Sequence, residues 1–222
     1  MANILLYSSD REPDLSKNRE KHRLYIFIKR AFDLSAVLMI APAALLAIGI
    51  LALLVRLDGS SAFYRQPRIG MGGRTFMLWK LRTMVPQAER KLESYLAAHP
   101  QARLAWNQSQ KLRDDPRVTA IGRYLRKYSL DELPQLLNVL LGDMSLVGPR
   151  PILPEQRQLY DGTAYYRLRP GLTGLWQIGK RNEATFAERA IIDTEYFNRM
   201  SLFTDIRILS KTPIVVLKGT GV

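Results

Sequence analysis

An uncharged apolar run at residues 34–55 constrains the fold of this chain more than any other feature of its sequence. The run consists mainly of Leu, Ile, Ala and Val, with one Gly and one Pro inside it. At roughly 22 residues it is just long enough to cross a bilayer as a straight helix. Pro42 removes a backbone donor and bends a helix that contains it. The run therefore predicts a straight membrane span or a membrane helix bent at Pro42, with a buried core helix as a third interpretation.

Basic residues lie on both sides of the apolar run. They are Lys21, Arg23, Lys29 and Arg30 before it and Arg56, Arg65 and Arg68 after it. Cytoplasmic segments next to membrane helices carry an excess of Lys and Arg, and a single span cannot place both of its ends in the cytoplasm. A helix over residues 21–57 that enters one leaflet, turns at Pro42 and returns satisfies both flanks. From the pattern alone, the re-entrant helix and the straight span both stay open.

The overall charge predicts a polyanionic partner. The chain has 33 Lys and Arg against 20 Asp and Glu, a formal net charge of +13, which suits nucleic acid, anionic lipid or a phosphorylated substrate. It has no cysteine, and its histidines are His22 and His99. A disulfide scaffold, a thiolate metal site and a histidine-rich metal cluster are therefore excluded. Residues 1–20 are polar and predict a flexible lead-in, while no linker divides residues 58–222, which we expect to form one domain.

Beyond the membrane segment, the sequence predicts an α+β domain that is mostly helical. Residues 63–84 predict a small β-hairpin, because three glycines at positions 70–73 supply a turn between two extended runs. In the second run, the period of two places Lys80 and Arg82 on the same face. Thr185 and Glu188 form a capping box for a helix over residues 186–200. Further helices are predicted at residues 86–112, 118–128 and 130–141, and an amphipathic helix at residues 202–217 suits the membrane surface or packing on the domain.

The adjacent carboxylates Asp131 and Glu132 are the candidate chemical centre. Taken alone, Ser129-x-x-Glu132 is more typical of a capped helix start than of a catalytic pair. Basic residues close to the pair, or within stiff turns rich in Gly and Pro, favour a catalytic role over a helix cap. They are Arg126, Arg150, Arg167, Arg169, Lys180 and Arg181. Such a set suits phosphoryl transfer between two anions, in which cations hold the phosphate oxygens and a carboxylate either binds Mg²⁺ or attacks phosphorus.

Four long motifs make the sequence resemble a known family. They are KLRTM at residues 80–84, SLDELPQ at 129–135, GDMSLVGPRP at 142–151 and RPGLTGLWQ at 169–177. With these motifs, the chain closely resembles the bacterial monotopic phosphoglycosyl transferases, also called bacterial sugar transferases. It is most similar to the short exopolysaccharide-initiating members that add galactose or glucose phosphate, since no multi-span region precedes the apolar run.

The resemblance implies a reaction and its participants. The donor is a UDP-sugar, the acceptor is undecaprenyl or another polyprenyl phosphate, the leaving product is UMP and the cofactor is Mg²⁺. Asp131 is the nucleophile that attacks the phosphate nearest the sugar and is part of the metal site. Glu132 is the second catalytic residue, which supports the metal or handles a proton. Phosphate or substrate ligands are implied at Lys80, Arg82, Arg126, Arg150 and Arg181, the last of these for the nucleotide-sugar.

The resemblance also implies a re-entrant helix broken at its proline. The enzyme is then monotopic on the cytoplasmic face of the bacterial inner membrane, in contact with membrane lipid and not with nucleic acid; homo-oligomerisation stays open. Ala41 stands where many members have Ser before the kink proline, which affects hydrogen bonding at the bend. Lys180 stands where Gly commonly precedes the arginine matched by Arg181, which affects any inference about sugar preference.

Two other classes of protein fit parts of the sequence. A membrane-tethered basic protein that binds anionic lipid or nucleic acid without catalysis would explain the charge and the apolar run. A soluble Mg²⁺-dependent phosphotransferase would explain the acidic pair, with the apolar run as its core.

Overall fold

The computed structural model describes residues 19–57, 59–109, 112, 115–179 and 185–219. Residues 1–18 of the predicted lead-in lie outside this range, as do Lys180 and Arg181. The helices are α1 Arg19–Arg56, α2 Ala88–Ala98, α3 Pro100–Ser109, α4 Ala120–Lys127, α5 Leu136–Leu141, α6 Leu175–Ile178, α7 Phe186–Arg199 and α8 Leu202–Leu217. The strands are β1 Phe63–Ile69, β2 Thr75–Leu81, β3 Ser145–Val147 and β4 Gly171–Thr173. The predicted mostly helical fold with a small hairpin and one long apolar helix near the N-terminus is confirmed.

The hairpin of β1 and β2 carries Lys80 toward the centre of the domain. The two strands pair antiparallel from Phe63 opposite Leu81 to Ile69 opposite Thr75. Both faces of β2 are used: Leu78 packs in the main core, and Leu81 packs in a second cluster with α1 and α4. Since side chains alternate along a strand, Lys80 shares its face with Leu78 and points into the domain, as the period of two predicts.

The helix α1 passes through Pro42 and packs on the rest of the domain near both of its ends. In its first half, Arg30 donates to the backbone oxygens of Val139 at 2.6 Å and Leu140 at 3.0 Å. At its other end, Val55 is buried in the cluster that contains Leu81. The two ends of the helix therefore lie against one and the same domain.

The middle of α1 is apolar and exposed. Met39 is 80% exposed and Leu46 is 68% exposed. From Leu24 to Arg56, α1 is long and apolar enough to cross a membrane, and only 6% of its most apolar stretch is buried. The interpretation of this run as a soluble core helix is therefore wrong, because the domain does not cover it.

A second pair of strands, β3 and β4, was not among the predicted elements. The two strands are parallel, with Ser145 opposite Gly171 and Val147 opposite Thr173. Each is only three residues long, too short for a periodic pattern to reveal it. The pair fixes the turn that follows β3, where Arg150 lies.

The C-terminal helix α8 matches its predicted bounds and has two different faces. Asp205 and Ile208 are buried in the domain. Phe203, Ile206, Ile214 and Leu217 are exposed apolar side chains on the same helix.

The predicted capping box at the start of α7 is also confirmed, since Thr185 accepts from the backbone of Glu188 and the Glu188 carboxylate accepts from the backbone of Thr185.

Candidate active site

The acidic pair lies on a short 3₁₀ segment, Leu130–Gln135, and not at the start of a regular α-helix. The predicted capping box at Ser129 is wrong. Ser129 has a left-handed backbone (φ 54°, ψ 24°) and makes no capping bond with its side chain. The carboxylate of Glu132 turns away from the Ser129 backbone toward two cations. The predicted helix at residues 130–141 is accordingly divided into this 3₁₀ segment and α5.

Lys80 and Arg150 hold the acidic pair from two sides. Lys80 Nζ lies 3.3 Å from Asp131 Oδ2 and 2.9 Å from Glu132 Oε1. Arg150 Nη2 donates to the same Oε1 of Glu132 at 3.1 Å. Three distant parts of the chain thus meet in one cluster: β2, the 3₁₀ segment and the turn after β3. The spacing along the sequence could not reveal this meeting.

The other predicted phosphate ligands are placed differently. Arg126 donates from Nε to Thr83 Oγ1 at 2.9 Å, and its charge acts on that of Asp131. Arg82, which the sequence places on one strand face with Lys80, lies one residue beyond the end of β2. Its guanidinium donates to backbone oxygens of Ser61, Met84 and Val55. Arg82 therefore ties the end of α1 to the hairpin, and its phosphate role stays a prediction. Arg181 lies outside the described residues.

The two carboxyls of the pair differ in acidity. Burial raises the pKa of Asp131, the charge of Glu132 raises it further, and Lys80 opposes both. Burial alone would also raise the pKa of Glu132, but the charges of Arg150 and Lys80 outweigh it and bring that pKa below its usual range. Glu132 in turn raises the pKa of the Arg150 guanidinium. The site therefore favours the ionised form of Glu132 and disfavours the ionised form of Asp131.

Comparison of the amino-acid sequence with known protein families identifies the family of this chain. The family model described as "Bacterial sugar transferase" matches residues 24–219. The chain belongs to the bacterial sugar transferase family. Membership identifies it as an enzyme, so a basic binding protein without catalysis no longer accounts for it.

Individual relatives cover most of this transferase. It is 48% identical over 200 residues to the "Exopolysaccharide production protein ExoY" of Sinorhizobium fredii, covering 87% of each chain. It is 44% identical over 209 residues to the "UDP-galactose-lipid carrier transferase" of Erwinia amylovora, covering 93% of this chain and 44% of the relative. It is 45% identical over 197 residues to the "Undecaprenyl-phosphate galactose phosphotransferase" of Salmonella typhimurium, covering 88% of this chain and 41% of the relative.

The carboxylates of the transferase can accept a hard cation. The contacts to Lys80 and Arg150 use Oδ2 of Asp131 and Oε1 of Glu132, so one oxygen of each carboxylate takes part in none of them. Over the described residues, no group of three or more His, Cys, Asp or Glu side chains could hold a metal. Mg²⁺ is commonly bound through one or two carboxylates plus substrate phosphates. The donor set at Asp131 and Glu132 therefore fits this ion.

Sequence reasoning missed a buried support behind Arg150. The guanidinium of Arg189, on α7, donates to the backbone oxygen of Arg150 and lies 5.2 Å from the ring of Trp176. Arg150 lies over the same ring at 5.9 Å. Arg189 also faces Asp193, one helical turn further, at 3.9 Å. The i, i+4 pairing of Arg189 with Asp193 was the available signal, but it is equally typical of an exposed helix face.

Proposed function

We propose that this transferase moves a hexose 1-phosphate from a UDP-sugar to undecaprenyl phosphate and releases UMP, through a covalent intermediate on Asp131. The observation that carries the proposal is the acidic pair held between Lys80 and Arg150, which places a carboxylate among cations of the kind that bind phosphate. The names of two relatives supply the donor and acceptor classes, UDP-galactose and undecaprenyl phosphate. The reaction would begin exopolysaccharide synthesis at the membrane.

The reaction has two displacements at the same phosphorus. A carboxylate oxygen of Asp131 attacks the phosphate nearest the sugar, the bond from that phosphorus to the bridging oxygen breaks, and UMP leaves with the electron pair. A phosphate oxygen of the lipid acceptor then attacks the same phosphorus and expels the Asp131 carboxylate. Lys80 and Arg150 offset the negative charge of two anions that must approach each other. Mg²⁺ held by Asp131 and Glu132 would neutralise charge on the phosphates and favour the ionised form of Asp131.

We also propose that α1 is a re-entrant helix bent at Pro42 and that the enzyme is monotopic on the cytoplasmic face of the inner membrane. Two observations support this topology. Both ends of α1 pack on the same domain, through Arg30 and through Val55. The middle of the helix and one face of α8 expose apolar side chains that a membrane would cover.

Cysteine accessibility tests the topology in this cysteine-free chain. Phe27→Cys and Leu57→Cys, at exposed positions on either side of the apolar run, are expected to react with a membrane-impermeant maleimide only in inside-out vesicles. Leu46→Cys, exposed in the middle of α1, is the control and should react from neither side. Labelling of Phe27→Cys and Leu57→Cys from opposite sides would establish a straight span instead.

A labelled donor tests the function directly. UDP-galactose and UDP-glucose carrying ³²P in the phosphate nearest the sugar are incubated with the enzyme and Mg²⁺ without acceptor. We expect one of them to leave acid-stable label on the protein together with UMP, and undecaprenyl phosphate to move that label to lipid. Lipid product without labelled protein at any time would indicate direct displacement, and no UMP from either donor would remove the proposed reaction for these sugars.

A further inference from the structure

A cavity of about 220 Å³ lies between Glu132 of the acidic pair and α8. Its polar end is formed by Glu132, Arg150 and Gln177. Apolar side chains from several elements form the rest of its wall, among them Leu133, Leu172, Leu209 and Val215. The cavity thus has a charged end at the chemical centre and an apolar body leading away from it.

Gln177 brings an unused polar group to this cavity. The residue is 7% exposed, and within the described part of the chain neither its Nε2 nor its Oε1 has a hydrogen-bond partner. A buried amide without partners costs free energy, so a water molecule or a ligand in the cavity would be stabilised by binding there. Together with the Arg150 guanidinium, Gln177 offers donors to an anion at the polar end.

The helix α8 contributes both to the wall of the cavity and to the exposed apolar surface. Leu209, Thr212 and Val216 line the cavity and recur at the spacing of one helix face. The exposed side chains Phe203, Ile206, Ile214 and Leu217 recur on another face. One helix therefore presents apolar residues both to the surface that the proposed topology puts in the membrane and to the cavity beside Glu132.

The two threonines of the wall add little polarity. Thr173 Oγ1 and Thr212 Oγ1 lie 2.8 Å apart and bond to each other, and Thr212 also donates to the backbone oxygen of Ile208 at 2.9 Å. A sugar or a uracil ring needs several hydrogen-bond partners when it is buried. Over the described residues, the wall adds Tyr128 and Ser129 to these polar groups and is otherwise apolar outside the charged end, which favours a hydrocarbon occupant.

We propose that this cavity binds the phosphate end of the polyprenyl phosphate acceptor. The phosphate lies at Arg150 and Gln177, and the isoprene units next to it fill the apolar body along Leu172, Leu209 and Val215. The inference rests on the proposed function, since it names where that acceptor binds. At about 30 Å³ for each water, the volume equals roughly seven waters, so it holds only the first part of the chain and leaves the remainder to the bilayer.

Filling the cavity tests the proposal. Val215→Trp places a large side chain in its body, and the matched control Ile214→Trp changes the neighbouring residue, which is 57% exposed and does not line the cavity. We expect Val215→Trp to raise the KM for undecaprenyl phosphate at least tenfold. UMP release and protein labelling without acceptor, measured with whichever of the two UDP-sugars labels the unaltered enzyme, should stay within twofold. Ile214→Trp should leave both half-reactions unchanged.

Two results with Val215→Trp would contradict the proposed binding site. An unchanged KM for the lipid in Val215→Trp overturns the proposal, and a selective loss of UMP release would assign the cavity to the donor. As a second measurement, the unaltered enzyme is photolabelled with a prenyl phosphate that carries a diazirine in its second isoprene unit. We expect adducts in peptides that contain residues 172–178 or 209–216, and adducts confined to other segments contradict the proposal. This labelling needs no turnover, so a failure of the proposed reaction can be told apart from a failure of the binding site.

Discussion

Asp131→Asn is expected to lower sugar-phosphate transfer by roughly 10⁴-fold or more, the scale on which enzymes lose turnover when a covalent nucleophile is removed. The neutral amide cannot attack phosphorus and is a poor ligand for Mg²⁺. The change is nearly isosteric, so the space beside Lys80 stays filled. UMP release from the UDP-sugar and ³²P label on the protein are the two measurements.

The same substitution should leave the fold intact. Because burial raises the pKa of Asp131, its ionised form is less stable in the folded protein than in the unfolded chain. Above the unfolded pKa of the carboxyl, that difference lowers the free energy of unfolding. A neutral Asn removes it, so the melting temperature at neutral pH should stay the same or rise. A lower melting temperature would mean that the Lys80 contact outweighs the burial of the charge.

Asp143→Asn is the matched control for the nucleophile. Asp143 is a carboxyl close by in the sequence that accepts from Asn138 Nδ2 at 3.2 Å, and an Asn side chain can accept the same bond. We expect this variant to keep its activity. Full UMP release by Asp131→Asn, with Asp143→Asn equally active, would remove Asp131 from the role of nucleophile.

Short sequence patterns predict correctly the elements that are stabilised by residues close together in the chain. The hairpin, the face of Lys80 and the capping box of Thr185 and Glu188 each depend on residues a few positions apart, and all three are confirmed. The family motifs then located the acidic pair within the chain. What lies around that pair is fixed by tertiary contacts.

The error at Ser129 shows where local patterns stop being sufficient. A Ser-x-x-Glu spacing favours a capping box only when the glutamate has no stronger partner. Here Lys80 and Arg150 lie within reach of Glu132, and two charge-assisted contacts outweigh one bond to a backbone N–H. The partners come from positions 52 residues earlier and 18 residues later, which a window along the sequence does not cover.

The support behind Arg150 escaped prediction for the same reason. The helix of Arg189 follows Trp176 in the chain, yet both side chains meet the Arg150 turn through packing of separate elements. From the sequence alone, Arg189 resembles an ordinary surface arginine and Trp176 an ordinary core tryptophan. The pairing of β3 with β4 brings the turn that carries Arg150 next to Trp176 and Arg189.

That pairing explains the second large effect that we expect, a loss of folding in Gly171→Ala. A Cβ at Gly171 would lie far inside contact distance of the backbone nitrogen of Gly148 and of the backbone oxygen of Thr173. These are main-chain atoms, one in the residue that follows β3 and one within β4, so they cannot rotate away as a side chain could. The Gly171 nitrogen also donates to the Pro149 oxygen at 2.8 Å, immediately before Arg150. The added methyl must therefore separate β3 from β4 and displace Arg150 from Glu132.

We expect Gly171→Ala to lower the free energy of unfolding by roughly 3 kcal/mol or more, at the upper end for overpacking, and to lose protein labelling from the UDP-sugar. Thermal unfolding in detergent and the ³²P assay measure the two effects. Gly49→Ala is the control, since a Cβ there meets nothing within 4 Å and Ala favours a helix more than Gly does. If Gly171→Ala melts and labels like Gly49→Ala, the strands can part without cost, and the close backbone packing of β3 on β4 does not hold Arg150 at the acidic pair.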